Sequence, residues 1–130
     1  QAAEAIVNRV DGIYLSTDNT VFSAIASLVN VFGKAKKPIF SGDVTAAKEG
    51  GIFMASGFNY YKAGRATGEM VVKILKGAKP ASLPVKFMTD PSDSDFLIDL
   101  DSAKNCEISI DQKYIDSANF IYQNGKLSEK

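Results

Sequence analysis

The chain has 130 residues, of which 45% are hydrophobic and 23% are charged, a composition typical of a globular domain. Fifteen Lys and Arg balance fifteen Asp and Glu, so the formal net charge is zero and the chain lacks the basic excess of a nucleic-acid-binding domain. The sequence contains no His and a single cysteine, Cys106. We therefore expect no nucleic-acid partner, no internal disulfide and no metal site.

Strands and helices alternate along the chain. Short β-rich runs predict strands at Gly12–Thr17, Pro38–Ser41, Ile52–Ser56, Leu83–Phe87 and Phe96–Leu100. Apolar residues spaced by three and four predict helices at the start of the chain, over Phe22–Phe32, over Tyr60–Lys76 and from Asp111 to Tyr122. The alternation indicates βαβ units, and therefore an α/β fold with a Rossmann-like, mainly parallel sheet. The polar residues 125–130 are expected to fray.

Three polar clusters each follow a predicted strand: Thr17-Asp18-Asn19, Ser41-Gly42-Asp43 and the segment from Gly57 to Tyr61. Ligands of open α/β sheets bind at the carboxyl ends of the strands, so the clusters predict a site for a polar small molecule. Capping is the alternative for each cluster. Asp18 or Asn19, Asp43 and Asn59 are all suited to cap the helix or turn that follows, which stabilises it by about 1 kcal/mol.

The carboxylates also raise the question of catalysis. Asp18 and Asp43 could act as a general acid and base, or as Mg²⁺ ligands like those of a receiver domain. A receiver-like site needs adjacent acidic residues after the first strand, and no such doublet is present. No candidate nucleophile has a base beside it in the pattern. We therefore expect a protein that is not an enzyme, with no catalytic residues and no cofactor.

Four segments carry a resemblance to a known family: Asp11–Thr20, Lys37–Ser41, Tyr60–Gly68 and Ile74–Gly77. In this order they resemble the substrate-binding proteins of ABC transporters, specifically the family that includes tryptophan and tyrosine importers. The likeness covers nearly the whole chain.

The end of the chain departs from the family at two places. Asp99 stands where the family usually has Asn, and Cys106-Glu107 replaces the usual Leu-Gly. The second difference puts the local turn in doubt, but not the fold.

The resemblance implies the two-lobe fold of type I periplasmic binding proteins. Residues 1–48 would belong to the later half of the second lobe, residues 49–82 would return to the first lobe, and residues 83–130 would cross back. The chain would then be the C-terminal portion of a longer protein made with a signal peptide. Such a protein is periplasmic or extracellular, with or without a lipid anchor, and delivers its solute to an ABC transporter permease.

The resemblance also assigns a site between the lobes, with an amino acid, including an aromatic one, as the expected solute. The family positions correspond to Thr17, Asp18, Asn19, Asp43, Asn59 and Tyr60. Asp43 or Asp18 would neutralise the α-ammonium group, and helix N-terminal N–H groups near Thr17 and Asn19 would bind the α-carboxylate. Tyr60 would stack on the side chain of the solute, whereas Tyr61 is expected in the core.

Two other classes of protein share this pattern. One is the ligand-binding core of a LacI-like transcription regulator, and the other is a stand-alone flavodoxin- or receiver-like domain. A chain that supplies only part of two lobes would expose strand edges and apolar faces. We therefore expect it to self-associate or to pair with the missing N-terminal part.

Overall fold

The computed structural model describes residues 1–130, which divide into two compact units. The first unit contains residues 1–57 and 95–130, and the second contains residues 58–94. No helix combines the length and the apolar character needed to cross a membrane.

Six helices and six strands make up the chain. The helices are α1 (Ala2–Ile6), α2 (Asn19–Ser23), α3 (Ile25–Lys34), α4 (Tyr60–Leu75), α5 (Leu100–Asn105) and α6 (Gln112–Ser117). The strands are β1 (Ile13–Leu15), β2 (Ile39–Ser41), β3 (Met54–Phe58), β4 (Ser94–Asp99), β5 (Phe120–Gln123) and β6 (Lys126–Glu129). Short 3₁₀ turns lie at Val7–Arg9, Thr45–Ala47, Pro80–Ser82 and Pro91–Asp93.

The six strands form one sheet whose order follows the chain, β1-β2-β3-β4-β5-β6. β1 pairs with β2, β2 with β3 and β4 with β5 in parallel, and β5 pairs with β6 antiparallel. The predicted α/β fold with a mainly parallel sheet is thus confirmed. Because β1 to β3 run in the same direction, their carboxyl ends lie along the same edge of the sheet.

The core of the first unit lies on both faces of the sheet. Neighbouring residues of β4 separate the two faces, since Leu97 belongs to one buried apolar cluster and Ile98 to the other. The larger cluster includes Phe32 of α3, which is fully buried against the strands. Because both faces of the sheet are buried, the strands are continuous apolar runs and do not alternate between apolar and polar residues.

The helix predicted over Phe22–Phe32 is interrupted. The chain forms α2 and then α3, and Ala24 between them has φ −107° and ψ 14°, outside the helical region. α3 continues past the predicted end at Phe32 to Lys34, so that Gly33 lies within the helix. The residue with a left-handed backbone conformation that follows the end of this helix is Lys36, with a φ of 54°.

Two further predictions need correction. The strand predicted at Leu83–Phe87 does not form, because this apolar run has no strand to pair with and Phe87 is left 72% exposed. The helix predicted up to Tyr122 ends at Ser117, and the residues that follow form the β5–β6 hairpin in place of a fraying tail.

The hairpin has a local cause that is visible in the sequence. Its turn is Asn124-Gly125, with φ values of 53° and 71°. A two-residue hairpin loop with positive φ at both positions favours Asn-Gly, because Gly adopts this backbone conformation without steric cost. The turn therefore brings β6 back along β5 and uses polar residues that were predicted to fray.

Two glycines of the first unit allow this backbone effect to be measured. A Cβ added at Gly125 or at Gly33 would meet no atom within 4 Å, so the two positions differ in backbone conformation and not in packing. We expect Gly125→Ala to destabilise the protein by about 1 kcal/mol and Gly33→Ala, within a helix, to stabilise it by about 0.5–1 kcal/mol. Urea unfolding of the two variants provides the measurement. If the two substitutions changed the free energy of unfolding in the same direction, the turn assignment would be contradicted.

Candidate functional site

The loops that follow β1 and β2 are joined at the carboxyl edge of the sheet. The amide of Gly42 donates to the carbonyl oxygen of Leu15 at 2.9 Å, which extends the β1–β2 ladder beyond the last residue of each strand. The hydroxyl of Thr17 donates to the carbonyl oxygen of Gly42 at 3.5 Å. The structure therefore places the predicted cluster Thr17-Asp18-Asn19 beside the loop that carries Asp43.

Asp18 caps a helix. Its Oδ1 accepts a hydrogen bond from the amide of Val21 at 2.9 Å, and its carbonyl oxygen accepts one from the amide of Phe22 at 2.9 Å. The capping interpretation of Asp18 is thus confirmed by geometry. Because α2 has five residues and one of its first amides is already bonded to Asp18, it offers less to an α-carboxylate than the predicted longer helix would.

Asp43 is buried, with 6% of its surface exposed. Its Oδ1 accepts hydrogen bonds from the amide and the hydroxyl of Thr45, at 2.8 Å and 2.5 Å. Its own amide is bonded to the hydroxyl oxygen of Ser41 at 3.1 Å. The cap position of the following 3₁₀ turn is Val44, so Asp43 does not cap a helix. It closes a tight turn that fixes the orientation of its carboxylate.

The second unit carries Asn59 and Tyr60. Asn59 caps α4, since its Oδ1 accepts a hydrogen bond from the amide of Lys62 at 3.0 Å. The ring of Tyr60 is 55% exposed. Tyr61 is 75% exposed, so its predicted core packing is wrong for the residues present here.

A cavity of the first unit borders the Thr17-Asp18-Asn19 cluster at Ser16 and Thr20 and extends from there along β1. It has a volume of about 630 Å³ and is lined by residues of the first three helices and of β1, mostly apolar ones such as Ile6, Leu28 and Val31. It runs beside β1, which is an edge strand of the sheet. An apolar lining at the margin of a core does not match the polar groups that bind an amino acid, so we place the candidate site at the joined loops.

Sequence reasoning missed a second pair of carboxylates, at the start of α5. Asp99 is almost fully buried, and it accepts hydrogen bonds from the amide of Gly51 at 2.6 Å and from that of Ser102 at 2.8 Å. Asp101 accepts hydrogen bonds from the amides of Asn124 and Gly125, at 3.0 Å and 2.9 Å. The two side chains thus tie the loop before β3 and the hairpin turn to one helix. Asp99 directly before a helix-forming run was a signal for its capping role.

The pKa values of these two carboxyls shift in opposite directions. Burial raises the pKa of Asp99, against the lowering effect of the hydrogen bonds from Ser102 and Gly51, and the charge of Asp101 adds to the increase. Hydrogen bonds from Gly125 and Asn124 lower the pKa of Asp101. The cause in each case is the balance between loss of hydration and hydrogen bonds to the charged form.

No set of three His, Cys, Asp or Glu side chains could hold a metal ion. Burial raises the pKa of the Cys106 thiol, which lowers its fraction of reactive thiolate. The joined loops instead present hydroxyl, amide and carboxylate groups, which suit hydrogen bonding to a polar molecule.

An α/β sheet with joined polar loops at its carboxyl edge defines a ligand-binding, Rossmann-like class of protein. Residues 1–121 match the family described as ABC transporter substrate binding protein. The chain belongs to this family, which confirms the resemblance found in the sequence.

Known relatives are longer than this chain. A tyrosine-binding protein from Clostridioides difficile is 25% identical over 122 residues, which are 94% of this chain and 33% of that protein. A conserved domain protein from Vibrio cholerae matches with a TM-score of 0.75 and 32% identity, over 94% of this chain and 40% of that one. An ABC domain from Streptococcus pneumonia in complex with L-Trp has a TM-score of 0.75 and 30% identity, over 92% of this chain and 40% of that one. The chain thus spans about a third to two fifths of their lengths.

The two carboxylates at α5 predict opposite dependences of stability on pH. The folded protein holds the proton of Asp99 more tightly than the unfolded chain does, so the stability of wild type relative to Asp99→Asn should fall as the pH rises from about 3.9 to the raised pKa, and then stay constant. The stability of wild type relative to Asp101→Asn should instead fall as the pH drops below about 3.9 toward the lowered pKa. Urea unfolding of wild type and of both variants, at a series of pH values above and below about 3.9, measures the two differences in free energy of unfolding. A change in the same direction for both pairs would contradict the assignment.

Proposed function

We propose that this chain is the C-terminal portion of a two-lobe solute-binding protein of an ABC importer, and that its solute is an amino acid. The observation that carries the proposal is the joining of the loops after β1 and β2 by Gly42 and Thr17, in a chain of the substrate-binding family. A tyrosine-binding relative and a relative in complex with L-Trp support the choice of an amino acid, including an aromatic one. The family match favours solute binding over a LacI-like regulator and over a flavodoxin- or receiver-like domain.

The proposed lobes follow the family pattern. Residues 1–48 belong to the second lobe, residues 49–82 return to the first lobe, and residues 83–130 cross back. The full-length protein works outside the cytoplasm, in the periplasm or at the cell surface with or without a lipid anchor, and passes its solute to an ABC permease. Self-association of the 130-residue chain, or its pairing with the N-terminal part, stays a prediction. Exposed apolar residues of the second unit, such as Leu75 at 80% and Phe87 at 72%, support it.

Each proposed contact follows from the chemistry of a named group. Asp43 neutralises the α-ammonium group, because its buried carboxylate is held in one orientation by Thr45 and a charge-assisted hydrogen bond is strong where water is excluded. The helix N-terminal N–H groups near Thr17 and Asn19 donate to the α-carboxylate, and Asp18 positions them by capping α2. In the second unit, Asn59 orients the start of α4, and Tyr60 supplies the ring that stacks on the solute side chain.

Titration of the full-length protein with L-tryptophan and L-tyrosine by calorimetry tests this assignment. Asp43→Asn keeps an acceptor for Thr45 but removes the charge, so we expect affinity to fall by at least about tenfold, as for loss of a charged hydrogen bond. Tyr60→Ala should weaken binding by removing the stacking ring.

Two exposed residues of α6 and its cap provide matched controls for this titration. Asp111 is an exposed carboxylate in an ion pair with Lys113 at 3.2 Å, and Tyr114 is a 47% exposed tyrosine. Asp111→Asn and Tyr114→Ala should bind like wild type. The assignment of the site would be wrong if Asp43→Asn and Tyr60→Ala kept wild-type affinity. The assignment of the function would be wrong if the wild-type protein bound no amino acid.

A further inference from the structure

The turn of the β5–β6 hairpin contains a sequence that is prone to a spontaneous covalent change. Asn124 is the only Asn of the chain that is followed by Gly. Because Gly125 has no side chain, nothing on that residue hinders an attack by its backbone nitrogen on the side-chain amide carbon of Asn124. Both residues are exposed, so water has access to the turn. Asn124 thus meets the chemical requirements for deamidation.

Deamidation takes up water and releases ammonia. A bond forms between the backbone nitrogen of Gly125 and Cγ of Asn124, the attacking nitrogen loses its proton, and the side-chain nitrogen leaves as ammonia. Water then opens the cyclic imide at either of its carbonyl carbons, which leaves aspartate or isoaspartate at position 124. The first step therefore requires that the Gly125 nitrogen lose its proton and that it rotate toward the Asn124 side chain.

The carboxylate of Asp101 opposes both of these changes. Its Oδ1 accepts a hydrogen bond from the amide of Asn124 at 3.0 Å, and its Oδ2 accepts one from the amide of Gly125 at 2.9 Å. Since these amides lie on either side of the Asn124 Cα, the two bonds hold the backbone of Asn124 in its left-handed conformation, with a φ of 53°. Loss of the Gly125 proton would also place a negatively charged nitrogen beside the carboxylate.

Asp101 does not act as a base toward the turn. The hydrogen bonds from Gly125 and Asn124 lower the pKa of its carboxyl, so the group stays ionised at neutral pH and has little tendency to take up a proton. The contact between Asp101 and the turn therefore slows the reaction and does not promote it.

We propose that Asn124 is a deamidation site and that Asp101 restrains the reaction by holding the turn closed. Deamidation adds a negative charge beside the carboxylate of Asp101, and isoaspartate also lengthens the backbone of the turn. Both changes weaken the two hydrogen bonds that Asp101 accepts. The residues of β6 are all exposed and this edge strand pairs only with β5, so β6 is the element that loosens when the turn opens.

Incubation of the full-length protein at mildly alkaline pH, followed by peptide mass spectrometry, measures the rate of deamidation at Asn124. Where the turn opens and closes faster than it reacts, this rate follows the population of the open turn. Asp101→Ala should raise the rate at least about tenfold, because it removes two charge-assisted hydrogen bonds that hold the turn closed. Asp111→Ala removes an exposed carboxylate that is paired with Lys113 and not with the turn, so this matched control should react like wild type.

A double variant separates the effect on the turn from a general loss of stability. Gly125→Ala adds a methyl group next to the attacking nitrogen and also destabilises the turn, which has positive φ at this position. Asp101→Ala combined with Gly125→Ala should therefore deamidate more slowly than Asp101→Ala, although it is less stable. In the wild-type protein, hydrogen exchange at the amides of residues 126–129 should accelerate once Asn124 has reacted.

Three results would overturn the proposal. The first is a rate in the folded wild-type protein equal to that in a short peptide of residues 121–128, which lacks Asp101. The second is an Asp101→Ala variant that reacts no faster than wild type, and the third is an Asp111→Ala variant accelerated as much as Asp101→Ala. If Asp101→Ala does not fold, the comparison of the wild-type protein with the peptide decides. None of these measurements depends on the binding of a solute.

Discussion

The candidate site depends on the close approach of two backbone segments, Gly42–Asp43 after β2 and Gly57 near the end of β3. The distance that a Cβ at Gly57 would have to the Gly42 carbonyl oxygen, 2.4 Å, shows that no other residue fits at position 57 without a shift of the backbone. With the loop confined in this way, the Gly42 carbonyl accepts from Thr17 and the Gly42 amide donates to Leu15. The close approach of β3 thus leaves no room for a side chain at position 57, beside the residue that links the two polar loops.

Carboxylates in this chain act mainly as acceptors for backbone amides. Asp18 and Asp99 cap helices, and Asp101 holds the hairpin turn. These roles explain why acidic residues cluster at the ends of elements without forming a metal site. Asp43 differs in its position, since it lies in the loop bonded to the end of the neighbouring strand, and this position is the reason for proposing it as the partner of a cationic group.

Local signals account for what the sequence could predict. Asn59 before an apolar helical pattern correctly located the start of α4, and the polar clusters correctly located the loops after β1 and β2. The same reasoning failed where pairing with another strand outweighed a local helical pattern, and where a turn signal was not recognised. Ile121 and Tyr122 continued a helical spacing, yet the Asn-Gly turn and pairing with β4 make this segment a strand. The burial of Asp43 depends on neighbours distant in sequence, so spacing alone could not reveal it.

The central claim is that the loops after β1 and β2 bind an amino acid. Amide hydrogen exchange of the full-length protein, measured with and without saturating L-tryptophan, tests it most directly, because it locates the response on the chain. We predict slower exchange at residues 17–21 and 42–45 when L-tryptophan is added, with no change in the β5–β6 hairpin. Binding of L-tryptophan without slower exchange in these two loops would contradict the claim.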